Sequence, residues 1–350
     1  MAFDTDPAPA GALVQAVSLG RNYPQRQGLF GTARAMWAVR DVSLDISAGE
    51  TVGIVGESGC GKSTLGRMML GLEDPTTGHV RFDGQDIATL QGATRRKLAR
   101  RMQMVFQDPF GSLDPRRTVG AQIADGLRTH DIVPASEVGA EVTRLIEQVG
   151  LPAEAAKRRP HEFSGGQRQR IAVARALATR PDFIVADEPV SALDVSIQAQ
   201  VVNLLMDLRR DLNLAMLFIS HDLHVVRHLC DRIAVMYLGR IVEIGPAEQV
   251  FGTPAHPYTR ALLAATPSLD PTRTADEDRI LPGELPSPSN PPSGCPFRTR
   301  CPLAEEACAA ANVTCRCCAE PARCSARRSI STTAWRLPAP AWRRACSWNG

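Results

Sequence analysis

Short apolar runs and longer amphipathic stretches take turns along the chain. Residues 13–19 and 42–46 carry alternating or apolar β-type side chains and read as strands, as do Thr51–Val55, 79–82 and 102–106. Residues 65–72 read as a helix. Over 120–150 the apolar positions Ile123, Leu127, Val138, Val142, Leu145, Ile146 and Val149 fall on one helical face. Pro152 and Pro160 bound a connector, and a helix rich in Arg, Gln and Ala is expected over 165–179. A buried-type strand at 183–186 precedes an amphipathic helix marked by Val201, Leu204, Leu205 and Leu208. Strands at 214–219, 233–237 and 240–244 follow. Strands alternating with helices predict an α/β domain, and the helix-only stretch of about 108–175 reads as an insertion into it. Between the first two strands lies a stretch rich in Gly, Arg and aromatics (Tyr23, Phe30, Trp37), which reads as a loop. The Pro/Ser-rich residues 268–294 read as a linker or extended arm with little helix.

The sharpest local signal is Gly56-Glu57-Ser58-Gly59-Cys60-Gly61-Lys62-Ser63-Thr64, set between a strand and a helix. Strand, glycine loop, lysine-serine and helix form the context of a phosphate-binding loop. Glycines let several backbone N–H groups point at one anion, and the helix N-terminus adds its positive dipole end. Lys62 is placed to reach the β- and γ-phosphates and Ser63 to ligate Mg²⁺. A nucleoside triphosphate site is therefore expected.

Such a loop serves many enzyme classes, so the rest of the chain has to choose among them. The strand Phe183-Ile184-Val185-Ala186 ends in Asp187 and Glu188. Asp187 can orient Mg²⁺ through its water shell, and Glu188 can polarise an attacking water as general base. Ser164-Gly165-Gly166-Gln167 places a capping serine and two glycines at a helix start, a second anion site made of free N–H groups. The same residues also make an ordinary helix cap.

These residues together resemble the ATP-binding cassette (ABC) ATPases, whose signature is Ser-Gly-Gly-Gln at a helix start. The resemblance covers residues 13–267, and what it implies follows the family's order. Ser164, Gly165, Gly166 and Gln167 would clamp the γ-phosphate of ATP held by an opposite subunit. Gln107 matches the Q-loop glutamine that senses Mg²⁺ and water. Ser191-Ala192-Leu193-Asp194 matches the D-loop at the dimer seam, and His221 matches the switch histidine that contacts the γ-phosphate. The family stacks the adenine on an aromatic, here Tyr23, with Trp37 and Phe30 as rivals. The implied fold is a P-loop NTPase with a RecA-like core, an antiparallel β subdomain, an inserted helical subdomain and a C-terminal Cys-containing extension.

Longer matches are similar to the oligopeptide/dipeptide/nickel importer branch: Phe106-Gln107-Asp108-Pro109-Phe110-Gly111-Ser112-Leu113-Asp114-Pro115, His256-Pro257-Tyr258-Thr259-Arg260-Ala261-Leu262, and Pro282-Gly283-Glu284 with Pro291-Pro292-Ser293-Gly294-Cys295. The wording lies nearest the "F-type" ATPase that members pair with a "D-type" sister. The resemblance thus implies a second ATPase subunit, two transmembrane permease subunits and, indirectly, an extracytoplasmic substrate-binding protein. Residues 107–117 would lie against a permease coupling helix. It also implies a place on the cytoplasmic face of the bacterial inner membrane, and uptake of oligopeptides or dipeptides. Nickel or another small solute, or an ABC ATPase without a transport role, are the alternatives.

Composition narrows this further. Hydrophobic content of 44% and charged content of 22% describe a globular protein, and no apolar run approaches a membrane span. Residues 1–6 show no secretory signal, and 1–12 are expected to be disordered. The net charge of +3 divides into +6 on residues 313–350 and −3 on the rest, which does not favour a nucleic-acid partner. Eight of the ten cysteines lie from Cys295 onward. In the family this region holds a [4Fe–4S] cluster in some members, so Cys295, Cys301 and Cys308 are candidate ligands, with unligated thiols the alternative. None of Cys315, Cys317, Cys318 or Cys324 stands at a convincing offset for a fourth ligand. The domains expected are 13–255 for the cassette, 256–312 for the importer-type extension, and 313–350 for a disordered tail of frameshifted or otherwise aberrant sequence.

Overall fold

The structure, a computed structural model, describes residues 11–26, 33–191, 193–266 and 283–310. Phe30, Ala192, Pro282, the tail 313–350 with its cysteines, and most of the 1–12 terminus lie outside the described residues. The strands are β1 (Ala12–Arg26), β2 (Ala33–Ser47), β3 (Thr51–Val55), β4 (Thr77–Phe82), β5 (Gln85–Asp86), β6 (Met102–Val105), β7 (Phe183–Asp187), β8 (Ala215–Ile219), β9 (Arg232–Tyr237) and β10 (Arg240–Pro246). They build two sheets. One is antiparallel, in the order β2-β1-β4-β5; the other runs β10-β9-β3-β8-β7-β6, parallel except for β10 at its edge.

The helices are α1 (Lys62–Met69), α2 (Gly92–Arg101), α3 (Pro109–Ser112), α4 (Val119–Thr129), α5 (Val138–Gln148), α6 (Gly165–Leu177), α7 (Val195–Leu212), α8 (Leu223–Leu229), α9 (Ala247–Gly252) and α10 (Pro257–Ala264). Between β6 and β7 the chain is wholly helical, α3 through α6. The single apolar face read over 120–150 is two helices, α4 and α5, broken at 130–137 around Pro134. Thr118 caps α4 through its hydroxyl, which accepts from the Ala121 N–H.

The parallel sheet is buried on both faces, which is why its strands read as continuous apolar runs rather than alternating ones. Successive side chains point to opposite sides. Phe183, Val185, Ala215, Leu217 and Ile219 join the core under α1 and the antiparallel sheet. Ile184, Ala186, Met216 and Phe218 join the core shared with α4, α5 and α6. Tyr258 and Phe297 of the C-terminal extension belong to this second core and stack on Tyr237, with ring centroids 4.7 and 5.3 Å away.

The segment holding Tyr23 and Trp37, read from sequence as a loop, is instead strand. β1 and β2 each run 15 residues, with Tyr23 opposite Met36 and Asn22 opposite Trp37. Cross-strand pairing here carries exposed and half-exposed side chains, so no hydrophobic alternation marks it.

Candidate nucleotide site

Four strands of the parallel sheet end at one edge, and the expected site residues follow directly from them: the phosphate loop after β3, Gln107 after β6, Asp187 and Glu188 at the end of β7, and His221 after β8. Ligands of open α/β sheets collect outside this carboxyl edge.

The phosphate loop is a built cradle. Gly56, Gly59 and Gly61 have φ of +155°, +79° and +106°. A Cβ on Gly56 would run into the Met236 carbonyl oxygen, and one on Gly61 into that of Ala38. Glycine is therefore required at both, by conformation and by space. Gly61 caps α1, and Lys62, 5% exposed, donates from Nζ to the carbonyls of Gly56 (2.8 Å) and Glu57 (3.1 Å). Ser58 and Gly59 are exposed, and Thr64 lies on α1. Cys60 is buried, and burial pushes its thiol up to about 11, so it packs as a neutral group.

Ser63 Oγ donates to Asp187 Oδ1 at 2.8 Å. Asp187 is 3% exposed, and burial raises its pKa above the ordinary carboxylate value, partly offset by the Ser63 hydrogen bond. A buried carboxylate beside a hydroxyl is a donor set suited to a hard divalent cation, which would restore the charge that burial disfavours. The residues present fit Mg²⁺.

One residue on, Glu188 adopts φ +45°, a left-handed backbone uncommon for a side chain of this size, and its N–H donates to the Ile219 carbonyl at 2.9 Å. Its Oε2 accepts from Gln107 Nε2 at 2.9 Å and stands 3.4 Å from His221 Nδ1. Three expected catalytic residues from three strand ends thus meet at one carboxylate oxygen.

Ser164 caps α6 in a reciprocal pair with Gln167: the Gln167 N–H donates to Ser164 Oγ, and the Ser164 N–H donates to Gln167 Oε1. These hydrogen bonds stay within the turn and do not reach the phosphate loop. A Cβ on Gly166 would strike Ile197, and one on Gly165 would crowd Leu193. The Ser164 turn therefore packs on Leu193 and on Ile197 of α7 in its own chain, where Asp194 stands at the N-cap of α7 and Val195 is 82% exposed.

Of the aromatics, the Tyr23 hydroxyl donates to Glu73 and the Arg21 guanidinium lies 5.0 Å over its ring. Trp37 sits against Gly20 and immediately precedes Ala38, whose carbonyl backs the phosphate loop. Between β6 and the helical insertion runs a cleft of about 640 Å³ lined by Phe106, Ser112, Asp114, Arg117, Gln122 and Arg175, among others.

The cysteine expectation fares differently. Cys295 is buried, its N–H donates to the Cys308 carbonyl at 2.9 Å, and Cys301 and Cys308 pack on the core. Among the described residues no group of three or more His, Cys, Asp or Glu side chains is gathered to hold a metal. The expected iron–sulfur cluster on Cys295, Cys301 and Cys308 is therefore not supported by the described residues.

Sequence reasoning missed the partners of Glu57. Arg300 contacts its carboxylate at 2.8 and 3.0 Å, and the Glu57 N–H donates to Tyr258 Oη at 3.0 Å. At 243 residues' separation no local pattern marks such a pair. The sequence offers only that Arg298 and Arg300 lie between Cys295 and Cys301, which does not single out Arg300.

The sequence matches the family described as ABC transporter over residues 39–191 and that described as oligopeptide/dipeptide transporter, C-terminal region, over 242–308. Similar relatives include a putative peptide import ATP-binding protein of Brucella ovis, 59% identical over 77% of this chain and 84% of its own length. The oligopeptide transport ATP-binding protein AppF of Bacillus subtilis is 53% identical, covering 82% and 88% of the two chains. The di/tripeptide transport ATP-binding protein DppF of Pseudomonas aeruginosa is 50% identical, covering 85% and 91%. Among solved structures, CbiO1 from Clostridium perfringens, part of an ABC transporter complex, superposes with TM-score 0.60 at 27% identity over 69% of this chain and 92% of its own. An ATP-binding cassette solved as a dimer bound to ADP and Pi gives TM-score 0.59 at 28% identity, over 67% and 98%. The label "F-type" does not hold as a class of ATPase: the matched descriptions are of ABC peptide-import ATP-binding proteins.

Proposed function

The chain belongs to the ABC transporter family, in its oligopeptide/dipeptide branch, and from that premise we propose that it is the ATP-hydrolysing subunit of a peptide importer. The observation that carries the catalytic reading is the meeting of Gln107, His221 and Glu188 at one carboxylate oxygen beside the Ser63–Asp187 pair.

In this reading the phosphate-loop residues 56–64, through the N–H groups not already donated within the protein as that of Glu57 is to Tyr258, and the ammonium of Lys62 bind the phosphates, while Tyr23 or its neighbour Trp37 bears on the base. Mg²⁺, held by Ser63, Gln107 and water around Asp187, would supply charge neutralisation at the β- and γ-oxygens. Glu188 takes the proton of the attacking water. Gln107 and His221 fix the orientation of its carboxylate and sense the γ-phosphate. Ser164, the free N–H groups of Gly165 and Gly166, and Gln167 serve the ATP of a companion cassette, with Asp194 at the seam. The signature's own hydrogen bonds stop short of the phosphate loop, which supports this division of labour. A solved cassette of 28% identity is a dimer with ADP and Pi, and it supports a two-chain site.

The companion is a sister cassette rather than a second copy. Residues 107–117, beside the cleft that Phe106 and Arg117 line, meet a coupling helix of one of the two permease subunits, and an extracytoplasmic binding protein delivers the peptide. No helix of the described residues is long and apolar enough to cross a membrane, in keeping with a peripheral subunit on the cytoplasmic face. Closure of the ATP sandwich and its reopening on hydrolysis would form the two-state switch.

The test is uptake of labelled di- and oligopeptides by cells lacking this chain. Uptake restored by the wild type but not by Glu188→Gln supports the reading. Restored uptake of nickel, with peptides unaffected, would overturn peptide import while leaving the ATPase in place.

A further inference from the structure

One ion pair crosses from the C-terminal extension into the phosphate loop. Arg300 is 7% exposed, and its Nη1 donates to both carboxylate oxygens of Glu57, at 2.8 and 3.0 Å. The same Glu57 is gripped at its backbone. Its N–H donates to Tyr258 Oη at 3.0 Å and its carbonyl accepts from Lys62 Nζ at 3.1 Å. Amide, carbonyl and carboxylate of one loop residue are thus each held, two of the three by the extension. The extension is itself anchored. Tyr258 and Phe297 are buried with Tyr237 and His256 in one ring cluster, with centroids 4.7–5.6 Å apart.

The charges give this contact a consequence for the ligand. A loop that receives a polyphosphate carries a carboxylate at its second residue, and a negative charge there opposes a negative ligand. A buried arginine on that carboxylate cancels the opposition and fixes the turn at Glu57, next to Gly56, whose backbone tolerates no side chain.

We propose that Arg300 is a positioning residue for ATP: it neutralises Glu57 and, with Tyr258, holds the start of the phosphate loop in the shape that admits the polyphosphate. The proposal rests on the nucleotide reading of the site. It makes the C-terminal extension part of the nucleotide-binding apparatus, although Arg300 itself touches no phosphate.

The test measures ATP binding by calorimetry, and KM and kcat in the full chain with its companion cassette, for Arg300→Met, Arg300→Lys and the double variant Arg300→Met/Glu57→Gln. Arg300→Met is expected to raise Kd and KM for ATP about tenfold, with kcat at saturation within about threefold of wild type. Arg300→Lys keeps the charge and recovers part of the affinity. The double variant removes the uncompensated carboxylate and returns to within about threefold of wild type. Loss of a merely structural arginine would lower thermal stability and the fraction of active protein, and with it kcat, while leaving Kd and KM of the folded protein unmoved. Rescue of Kd by the double variant at unchanged melting temperature is what a positioning role predicts. Arg300→Met binding ATP like wild type, or a double variant as weak as the single, overturns the proposal. A wild-type chain that binds no ATP overturns the nucleotide reading itself, and the proposal with it.

Discussion

At the scale of single residues, space and charge around a few atoms decide what the site tolerates. Gly61→Ala would force a Cβ into the Ala38 carbonyl at φ +106°, whereas Gly59, at φ +79°, faces open space. Gly61→Ala is expected to weaken ATP binding at least tenfold, while Gly59→Ala costs only the left-handed backbone, about 1 kcal/mol. Calorimetric titration and thermal melts of the two variants check the contrast. Glu188→Gln removes the proposed base but keeps a hydrogen-bonding side chain for Gln107, so kcat should fall about 10²–10⁴-fold with ATP affinity retained, read by phosphate release. Most of these residues were legible in the chain because their chemistry is consecutive: a glycine loop with Lys62 and Ser63, Asp187 beside Glu188, Ser164 before two glycines. Arg300 was not legible, because an ion pair spanning 243 residues leaves no periodic trace.

At the scale of elements, legibility followed burial. Strands β3, β7 and β8 are buried at every position and stood out as apolar runs. α2 buries only Leu98 among its arginines, so nothing in the sequence announced it. The far halves of β1 and β2 were lost for the same reason, and with them the setting of Tyr23 and Trp37. The helical insertion is tied to the core by charge as well as packing. Glu141 on α5 pairs with Arg144 at 2.8 Å and with Arg180, beyond α6, at 3.2 Å. The Arg144 hydrogen bond, with help from Arg180, holds the Glu141 carboxyl down to about 2. A depressed acid stabilises above its ordinary pKa of about 4.3 and loses that contribution as pH falls towards the folded value. Glu141→Gln should therefore cost about 1 kcal/mol at neutral pH, a figure kept low by solvent screening. Its deficit relative to wild type should shrink as pH falls from about 4.3 towards 2. Urea denaturation of both proteins across that range checks the sign.

At the scale of the whole molecule, two cores share one sheet. The face under α1 carries the phosphate loop; the other carries the helical insertion and the extension. The sequence foretold the α/β plan and the insertion because each follows from strand order and helical periodicity. It did not foretell that the extension folds back onto Tyr237 and reaches Glu57, since aromatic contacts across the chain have no local signature. The expected cluster of Cys295, Cys301 and Cys308 finds no support among the described residues, because spacing alone does not fix whether thiols converge. In the proposed reading the chain presents two half-sites, the phosphate loop with Glu188 and the Ser164 turn, each to be completed by another cassette. The most direct measurement is phosphate release by the chain held monomeric, verified by light scattering, compared with the same chain after adding its companion cassette. The account predicts that the lone monomer is at least about 100-fold slower, as expected when a transition-state clamp is missing. Equal turnover by the monomer would contradict it.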